Sequence, residues 1–454
     1  MIPVLTPSEM AAVDVAAPEP VEVLIERAGA AVAREALRLL GGGYGRRVVV
    51  LAGKGNNGAD GRSAAVRLAR RGARVQVVDV HDARRDLPPS DLVVDAAYGT
   101  GFHGDYDAPD AGGAPVLAVD IPSGVDGITG EAAGRVLAAV RTVTFAALKP
   151  GLLLEPGRAL AGETVLVDIG LDVSRATTAV VEAADVAAWL PERPVTSHKW
   201  KAAVLVIAGS PAMTGAARLA ASAAQRAGAG IVRVGSPGVD DDRSRPTEAV
   251  GLALTATAWG DVAVAEADRF GAVVVGPGLG RSEDVTEQVR TLLTAVDRPC
   301  VVDGDGLAAL GRDAASILGG RAAPTVLTPH DGEHERLTGA RPAADRVAAA
   351  RALAAATGAV VLLKGRTTVV ADPHGVVRIV TAGDARLATA GTGDVLSGVL
   401  GALLSRGLSA LEAAAAAAWL HARAASLGPA DGLIAGDLPD LLPRVFADLR
   451  RVAS

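Results

Sequence analysis

Two successive series of short apolar runs, each alternating with helical stretches, restrict the fold of this chain more than any other feature. Runs such as Val48-Val49-Val50-Leu51 and Val273-Val274-Val275 are too short for helices and apolar without alternation. A strand of that kind must be buried on both faces, as in a parallel sheet sandwiched between helices. The first series predicts strands near 47–51, 75–80, 92–95, 116–120, 141–145 and 164–168. The second predicts strands near 204–207, 231–234, 272–275, 300–303, 325–327 and 360–363, with 367–370 as a hairpin partner. Three helices, near 393–406, 409–426 and 437–450, close the chain. Between the series lies Leu190-Pro191-Glu192-Arg193-Pro194-Val195-Thr196, whose prolines and polar residues suit a linker. The expected organisation is therefore two α/β domains, 1–193 and 194–454.

Composition removes several functional classes. The net charge of −6 leaves no basic surplus for nucleic acid. No apolar stretch reaches the length of a bilayer span, since Glu412, His421 and Arg423 interrupt the alanine-rich segment 410–426. The N-terminus lacks a secretion-type apolar core, and Thr6-Pro7-Ser8-Glu9 reads as a capping box, so a cytoplasmic protein is expected. A single cysteine, Cys300, excludes an internal disulfide and reads as a buried small hydrophobe. The seven histidines are scattered along the chain and point to no zinc site. Asp240 to Arg243 reads as a solvated loop. With aromatics at 2%, the core must come from Val, Leu, Ala and Ile.

Chemistry is to be sought where strands end, because ligands of open α/β sheets bind at the carboxyl ends of strands. The first predicted strand runs into Gly53-Lys54-Gly55-Asn56-Asn57-Gly58-Ala59-Asp60-Gly61, ahead of a helix expected from about Arg62. Such a turn can aim amides and a helix N-terminus at phosphate, yet it matches neither GxGxxG nor the Walker pattern. Asp95 ends another strand before Gly99-Thr100-Gly101-Phe102-His103-Gly104-Asp105. Asp120 ends a third before Ile121-Pro122-Ser123-Gly124, and Lys149-Pro150-Gly151 follows a fourth. The oxygen donors Asn57, Asp95, Asp120 and Ser123 suit a hard cation or, equally, caps and turns. In the second domain Gly391-Thr392-Gly393-Asp394 enters an apolar helix. Its amides can form an anion hole, while Asp394 reads either as a base or as a helix-start cap.

Taken in order and spacing, GKGNNGADG, DAAYGTGFHGD, AVDIPSGVDGITG and TVTFAALKPG resemble the N-terminal domain of the YjeF family, the NAD(P)H-hydrate epimerases. The resemblance covers about residues 1–190 and implies a Rossmann-like three-layer domain. It further implies a potassium ion held by Asn57, Asp95 and Ser123. The hydrate pocket would be lined by Asn56, Asn57, Gly58, Ala59, Asp60, by Gly99, Thr100, Gly101, Phe102, His103, Gly104, Asp105, and by Asp120. Asp120 is the candidate acid–base group. Ala59 departs from the family's usual glycine.

The blocks Ser197-His198-Lys199, Met213 to Ala220, Gly276-Pro277-Gly278-Leu279-Gly280, Thr328 to Glu333, Leu363 to Thr368 and Ala388 to Gly398 resemble the ADP/ATP-dependent NAD(P)H-hydrate dehydratases. This likeness, over about 195–452, implies a ribokinase-like domain. The nucleotide, arriving with magnesium, would be held by Lys364, Gly365, Arg366, Thr367, Thr368, Gly391, Thr392 and Gly393. Ala217, Gly280, His330 and Asp394 would face the hydrate, with Asp394 as base. Asp384 stands where the family often has Asn.

The partners expected are small molecules only, without nucleic acid or membrane, in a homo-oligomer. Two other readings remain open: a ribokinase-like kinase of a vitamin-precursor alcohol with an accessory first domain, and a first domain that binds without catalysing.

Overall fold

The computed structural model describes residues 1–102, 104–132, 134–240 and 244–453. The chain packs as two units, Ile2–Thr178 and Ala179–Ser454.

In the first unit six parallel strands form one sheet, in the order Arg74–Asp79, Arg47–Ala52, Leu92–Ala96, Val116–Val119, Arg141–Phe145, Glu163–Val167. The order reverses between Arg47–Ala52 and Leu92–Ala96, and a doubly wound sheet opens a ligand crevice at such a switch point. Alternate residues of the first central strand face opposite layers. Val48, Val50 and Ala52 meet the side chains of helices Val21–Leu40 and Asn56–Arg70. Val49 and Leu51 meet Tyr106, Leu87 and Leu137, which come from connecting segments. Helices were expected on both faces; the second face is instead covered mostly by loops, whose sequences (residues 81–91 and 107–115, for example) are rich in Pro, Gly and Asp.

The second unit carries one long sheet. From Val360–Leu363 the order runs in parallel through Thr325–Leu327, Cys300–Val302, Ala272–Val275, Ala203–Ile207 and Ile231–Gly235 to Val250–Leu252. On the other side the expected hairpin, Thr368–Ala371 with Val377–Val380, pairs antiparallel. The three closing helices are Thr392–Ser405, Ala410–Leu427 and Leu438–Ala453. Small residues set their distances: a Cβ at Gly398 would lie 2.0 Å from the Ala220 carbonyl oxygen. Ala413 to Ala418 are all buried, so this helix packs by backbone proximity in place of large side chains.

The packing boundary precedes the one expected near residue 193. From Ala179 on, strand Thr178–Val180 and helix Ala183–Trp189 belong with the second unit: the Val181 amide donates to the Ile379 carbonyl at 3.0 Å. Val186 is fully buried in that unit's core, and Arg406 binds the Pro191 carbonyl. Proline at 191 and 194 thus marks the end of a packed segment rather than the first domain's edge.

Two smaller expectations hold. The Thr6 hydroxyl accepts from the Glu9 amide and the Glu9 carboxylate from the Thr6 amide, a complete capping box. Cys300 is buried, and burial pushes its thiol up to about 11, which keeps it unreactive. Of the acidic run 240–243, residues 241–243 lie outside the described residues.

Candidate functional site

The first unit contains a cavity of about 840 Å³ at the switch point. Helix Asn56–Arg70 begins at Asn56, six residues earlier than expected, so the glycine-rich stretch is mostly helix. The reason is contact: a Cβ at Gly58 would stand 1.9 Å from the Gly53 carbonyl oxygen, so only glycine lets this first turn close against the strand. Asn56, Asn57 and Asp60 line the cavity with Gly99, Thr100, Gly101, Phe102 and Asp120, as expected. Gly58, Ala59, Gly104 and Asp105 are not among its walls, and His103 lies outside the described residues.

Asp120 ends strand Val116–Val119 with φ at 67°, a left-handed conformation that non-glycine residues adopt at a cost. That turn brings its carboxylate to the buried Lys149, whose ammonium donates to Asp120 Oδ1 and, at 2.9 Å, to Thr144 Oγ1. Thr144 Oγ1 in turn donates to Asp120 Oδ1 at 3.1 Å. Asp60 and Asp14 complete an acidic wall. Burial, then the charges of Asp120 and Asp14, raise Asp60 to about 8; burial and Asp120 raise Asp14 against the opposing pull of Lys149. The site thus offers an ionic pair beside a carboxylic acid that keeps its proton at neutral pH, the arrangement an acid–base reaction needs. Asp14 and Lys149 were not among the residues expected to act. Helical spacing of Asp14 from the cavity-lining Met10 was the available signal for one, and the KPG element after a strand for the other.

Asp60→Asn should raise the melting temperature of the first unit. A carboxyl whose folded pKa lies above its unfolded value loses stability as pH climbs from about 4 to about 8, and the amide removes that slope. Calorimetric scans at pH 5 and 8 check this: an unchanged pH slope would mean that Asp60 ionises as freely as in the unfolded chain.

Asp95 and Ser123 meet at the neighbouring strand end. The Ser123 hydroxyl donates to Asp95 Oδ1 at 2.7 Å and its amide to Oδ2 at 2.9 Å. Asp95 is fully buried, with neutral donors as its hydrogen-bond partners. Asn57 is buried with both amide atoms unpartnered, beside Gly99. Among the described residues no three His, Cys, Asp or Glu side chains are grouped to hold a metal, so any cation here would depend on Asn57, Ser123 and carbonyl oxygens around one carboxylate.

In the second unit four strand ends converge. Gly391 caps helix Thr392–Ser405 with φ at 91°, and Asp394 sits in the first turn, half-buried. Its carboxylate makes no hydrogen bond among the described residues, so it does not cap the helix. Burial, then Asp303, push Asp394 up to about 7, with Lys364 pulling the other way. Asp303, after strand Cys300–Val302, organises the floor: Lys364 Nζ donates to its Oδ1 at 2.9 Å, Thr328 Oγ1 to Oδ1 at 2.8 Å, and Ser397 Oγ to Oδ2 at 2.9 Å. Lys364 also lies 3.4 Å from Glu333. Burial opposes its charge, yet Asp303 and Glu333 outweigh burial and raise its pKa. A Cβ at Gly393 would lie 3.6 Å from Lys364 Nζ, so this ammonium stands beneath the glycine turn. Asp303, Glu333 and Ser397 were missed as site residues; a strand ending in Asp was the only local signal for the first.

Of the other expected residues, Gly280 faces open space, with its amide on Asp305 Oδ2 at 2.9 Å. Gly365, Arg366 and Thr367 form the turn into the hairpin, whose first strand opens at Thr368, and Thr367 is buried. His330 is occupied as a helix cap, Nδ1 accepting from Gly332 at 3.0 Å and Glu333 at 3.3 Å. Ala217 is corrected: at 0% exposure it presents no surface to a ligand, because its methyl packs towards Gly209 in the core. Asp384 is paired with Arg386.

Comparison with known proteins agrees with both halves. The NAD(P)H-hydrate dehydratase family matches residues 204–446, and the family described as YjeF-related protein N-terminus matches residues 21–86 and 78–151. A bifunctional NAD(P)H-hydrate repair enzyme of Mycobacterium leprae is 40% identical over 94% of this chain and 94% of its own length. That of Moorella thermoacetica is 37% identical over 94% and 92%. A crystal structure of ADP/ATP-dependent NAD(P)H-hydrate dehydratase from Bacillus subtilis, co-crystallised with ATP and Mg2+, is 33% identical with a TM-score of 0.51, covering 59% of this chain and 97% of that one. The second unit therefore has the ribokinase-like dehydratase fold, the first is a YjeF N-terminal domain, and the chain belongs to the family of bifunctional NAD(P)H-hydrate repair enzymes.

Proposed function

We propose that this chain restores hydrated NADH and NADPH in the cytoplasm: its first unit interconverts the two epimers of the hydrate, and its second dehydrates the S epimer at the expense of ADP or ATP. The observation that carries this reading is the Asp394 carboxylate, without a hydrogen bond among the described residues, with a pKa near neutrality, in the first turn of the helix that Gly391-Thr392-Gly393 opens. A helix start leaves amide donors unsatisfied, and these stabilise charge on a phosphoryl group in transfer.

Hydroxide leaves poorly, so the hydrate's hydroxyl attacks the terminal phosphoryl group as Asp394 takes the hydroxyl proton, and the bond from that phosphorus to the nucleotide breaks. The ring nitrogen's electron pair then expels phosphate from the carbon, and loss of a proton from the adjacent carbon restores the reduced nicotinamide. Gly280 and His330 flank the hydrate, and Lys364 to Thr368 flank the nucleotide. Magnesium bound through the nucleotide phosphates would offset their charge. In the first unit the ring nitrogen's electron pair expels the hydroxyl as water, and water re-adds on the other face of the same carbon. Asp120, held by Lys149, handles the proton that leaves and returns with that water; Asn56, Asn57, Asp60 and residues Gly99 to Phe102 surround the hydrate.

A potassium ion on Asn57, Asp95 and Ser123 would hold the loops around the first site. Its support is Asn57's amide oxygen and the fully buried Asp95 carboxylate, the first without a hydrogen bond and the second without a cationic partner among the described residues. The first unit should melt at higher temperature in potassium chloride than in choline chloride of equal ionic strength, and Asp95→Ala should abolish the difference while sparing dehydration. Equal melting in both salts would remove the ion from the reading.

The decisive assay supplies each hydrate epimer with ADP or ATP and follows the reduced-nicotinamide absorbance. Both epimers should be recovered, the R epimer only while the first unit is active. A stable phosphorylated alcohol and no recovered absorbance would instead indicate a ribokinase-like kinase, which the relatives' shared two-domain plan disfavours. Light scattering of the purified chain tests the homo-oligomer that belongs to the same proposal.

A further inference from the structure

The second unit has another cavity, of about 810 Å³, at the opposite end of its sheet. Ala202 on its wall immediately precedes strand Ala203–Ile207. Arg406 on its wall follows helix Thr392–Ser405, whose fourteen residues span roughly 21 Å from the Asp394 turn. Ser197 and His198, singled out in the sequence, line this cavity rather than the Asp394 site.

Its charge is one-sided. Arg193, Lys201, Arg226, Arg406 and Arg450 surround it, against Glu192 as the one carboxylate among the described lining residues. Arg406 is half-buried and held by neutral oxygens, Nη1 donating to the Ala227 carbonyl at 3.3 Å and Nη2 to that of Pro191 at 2.7 Å. Arg193, Lys201 and Arg450 make no ion pair among the described residues; Arg226 pairs with the exposed Asp440. Burial, then Arg193 and Arg450, pull Arg406 below the ordinary arginine range, the sign of like charges gathered around it. The chain as a whole is acidic, at −6, so this cluster does not follow from composition. Phe446, Leu190 and Leu449 give the same cavity an apolar floor. A concave site of roughly 300–1,000 Å³ suits a small molecule, and arginine forks grip phosphate oxygens in pairs.

We propose that this cavity binds a small phosphate-bearing anion, with Arg193, Arg406 and Arg450 on the phosphate and Phe446 against whatever body carries it. It is a second anion site on the dehydratase unit, remote from the Asp394 turn.

Calorimetric titration of the full-length protein in 100 mM potassium chloride with inorganic pyrophosphate, inorganic phosphate and phenyl phosphate tests this. The parent should bind at one site per chain more than R193Q/R450Q, or at least tenfold more tightly there, and R193K/R450K should keep the site. Phenyl phosphate binding more tightly than inorganic phosphate at that site assigns it to an organic phosphate; equal affinities assign it to inorganic phosphate or pyrophosphate. Both substituted side chains are exposed, so the variant should melt with the parent, and R450Q alone gives the same readout if the double variant does not. Identical isotherms for the parent and the glutamine variants, with all three probes, overturn the proposal.

Discussion

Asp394→Asn should lower the dehydration rate by at least about 100-fold, with nucleotide affinity within a few-fold of the parent and no loss of melting temperature. The substitution keeps size and removes basicity, and it takes no cap from the helix because the parent carboxylate makes no hydrogen bond there. The pH dependence follows from the same environment. Burial and Asp303 raise Asp394 to about 7, so the base is protonated in acid, and the parent rate should rise through about pH 7 and then level off. For stability the sign is opposite. The folded state retains this proton to higher pH than the unfolded chain, so the contribution of Asp394 declines between about pH 4 and 7, and the variant should gain on the parent at pH 8. Rates and melting curves from pH 5.5 to 8.5 decide both points. Normal turnover in an early-melting variant would make Asp394 structural and return the base to another residue.

Lys149→Met should damage the first unit twice. It strands the Asp120 carboxylate beside Thr144 without its cation, and breaking a buried pair from one side typically costs about 3–5 kcal/mol. It should also stop epimerisation, since Asp120 loses the group that positions it. The double variant Lys149→Met, Asp120→Asn separates the two effects, because a neutral amide no longer needs a counter-charge: much of the stability should return while epimerisation stays lost. Calorimetry, with epimer exchange followed in the absence of nucleotide, measures each. Parental melting of the single variant, or epimerisation by the double one, would show that the pair is neither structural nor catalytic as described.

The two α/β units and nearly all central strands were legible because continuous valine runs have few other ways to be buried. The hairpin and closing helices followed from the same reasoning, and the likeness to hydrate-repair domains rested on glycine and aspartate blocks that sit at strand ends. The errors came where a local signal had two physical meanings. Glycines at 53–61 signal a loop, yet Gly58 serves the close approach of a helix to its strand. Prolines 191 and 194 signal a linker, yet the preceding residues 179–189 pack into the second unit.

The sequence by itself determined which segments become strands and helices and which end of each sheet carries polar residues, since burial pattern and turn chemistry are local properties. Only the tertiary structure decided what those polar residues do. Lys149 meets Asp120 across twenty-nine positions of chain, and Lys364 meets Asp303 across sixty-one. No periodicity encodes such pairs; they exist because parallel strands bring their carboxyl ends together. The same holds for protonation. Asp60, Asp394 and Asp95 are identical as letters, and burial together with the charges and hydrogen bonds each side chain meets in the fold makes the first two weak acids poised for proton transfer and gives the third a hydroxyl and two amides to hold.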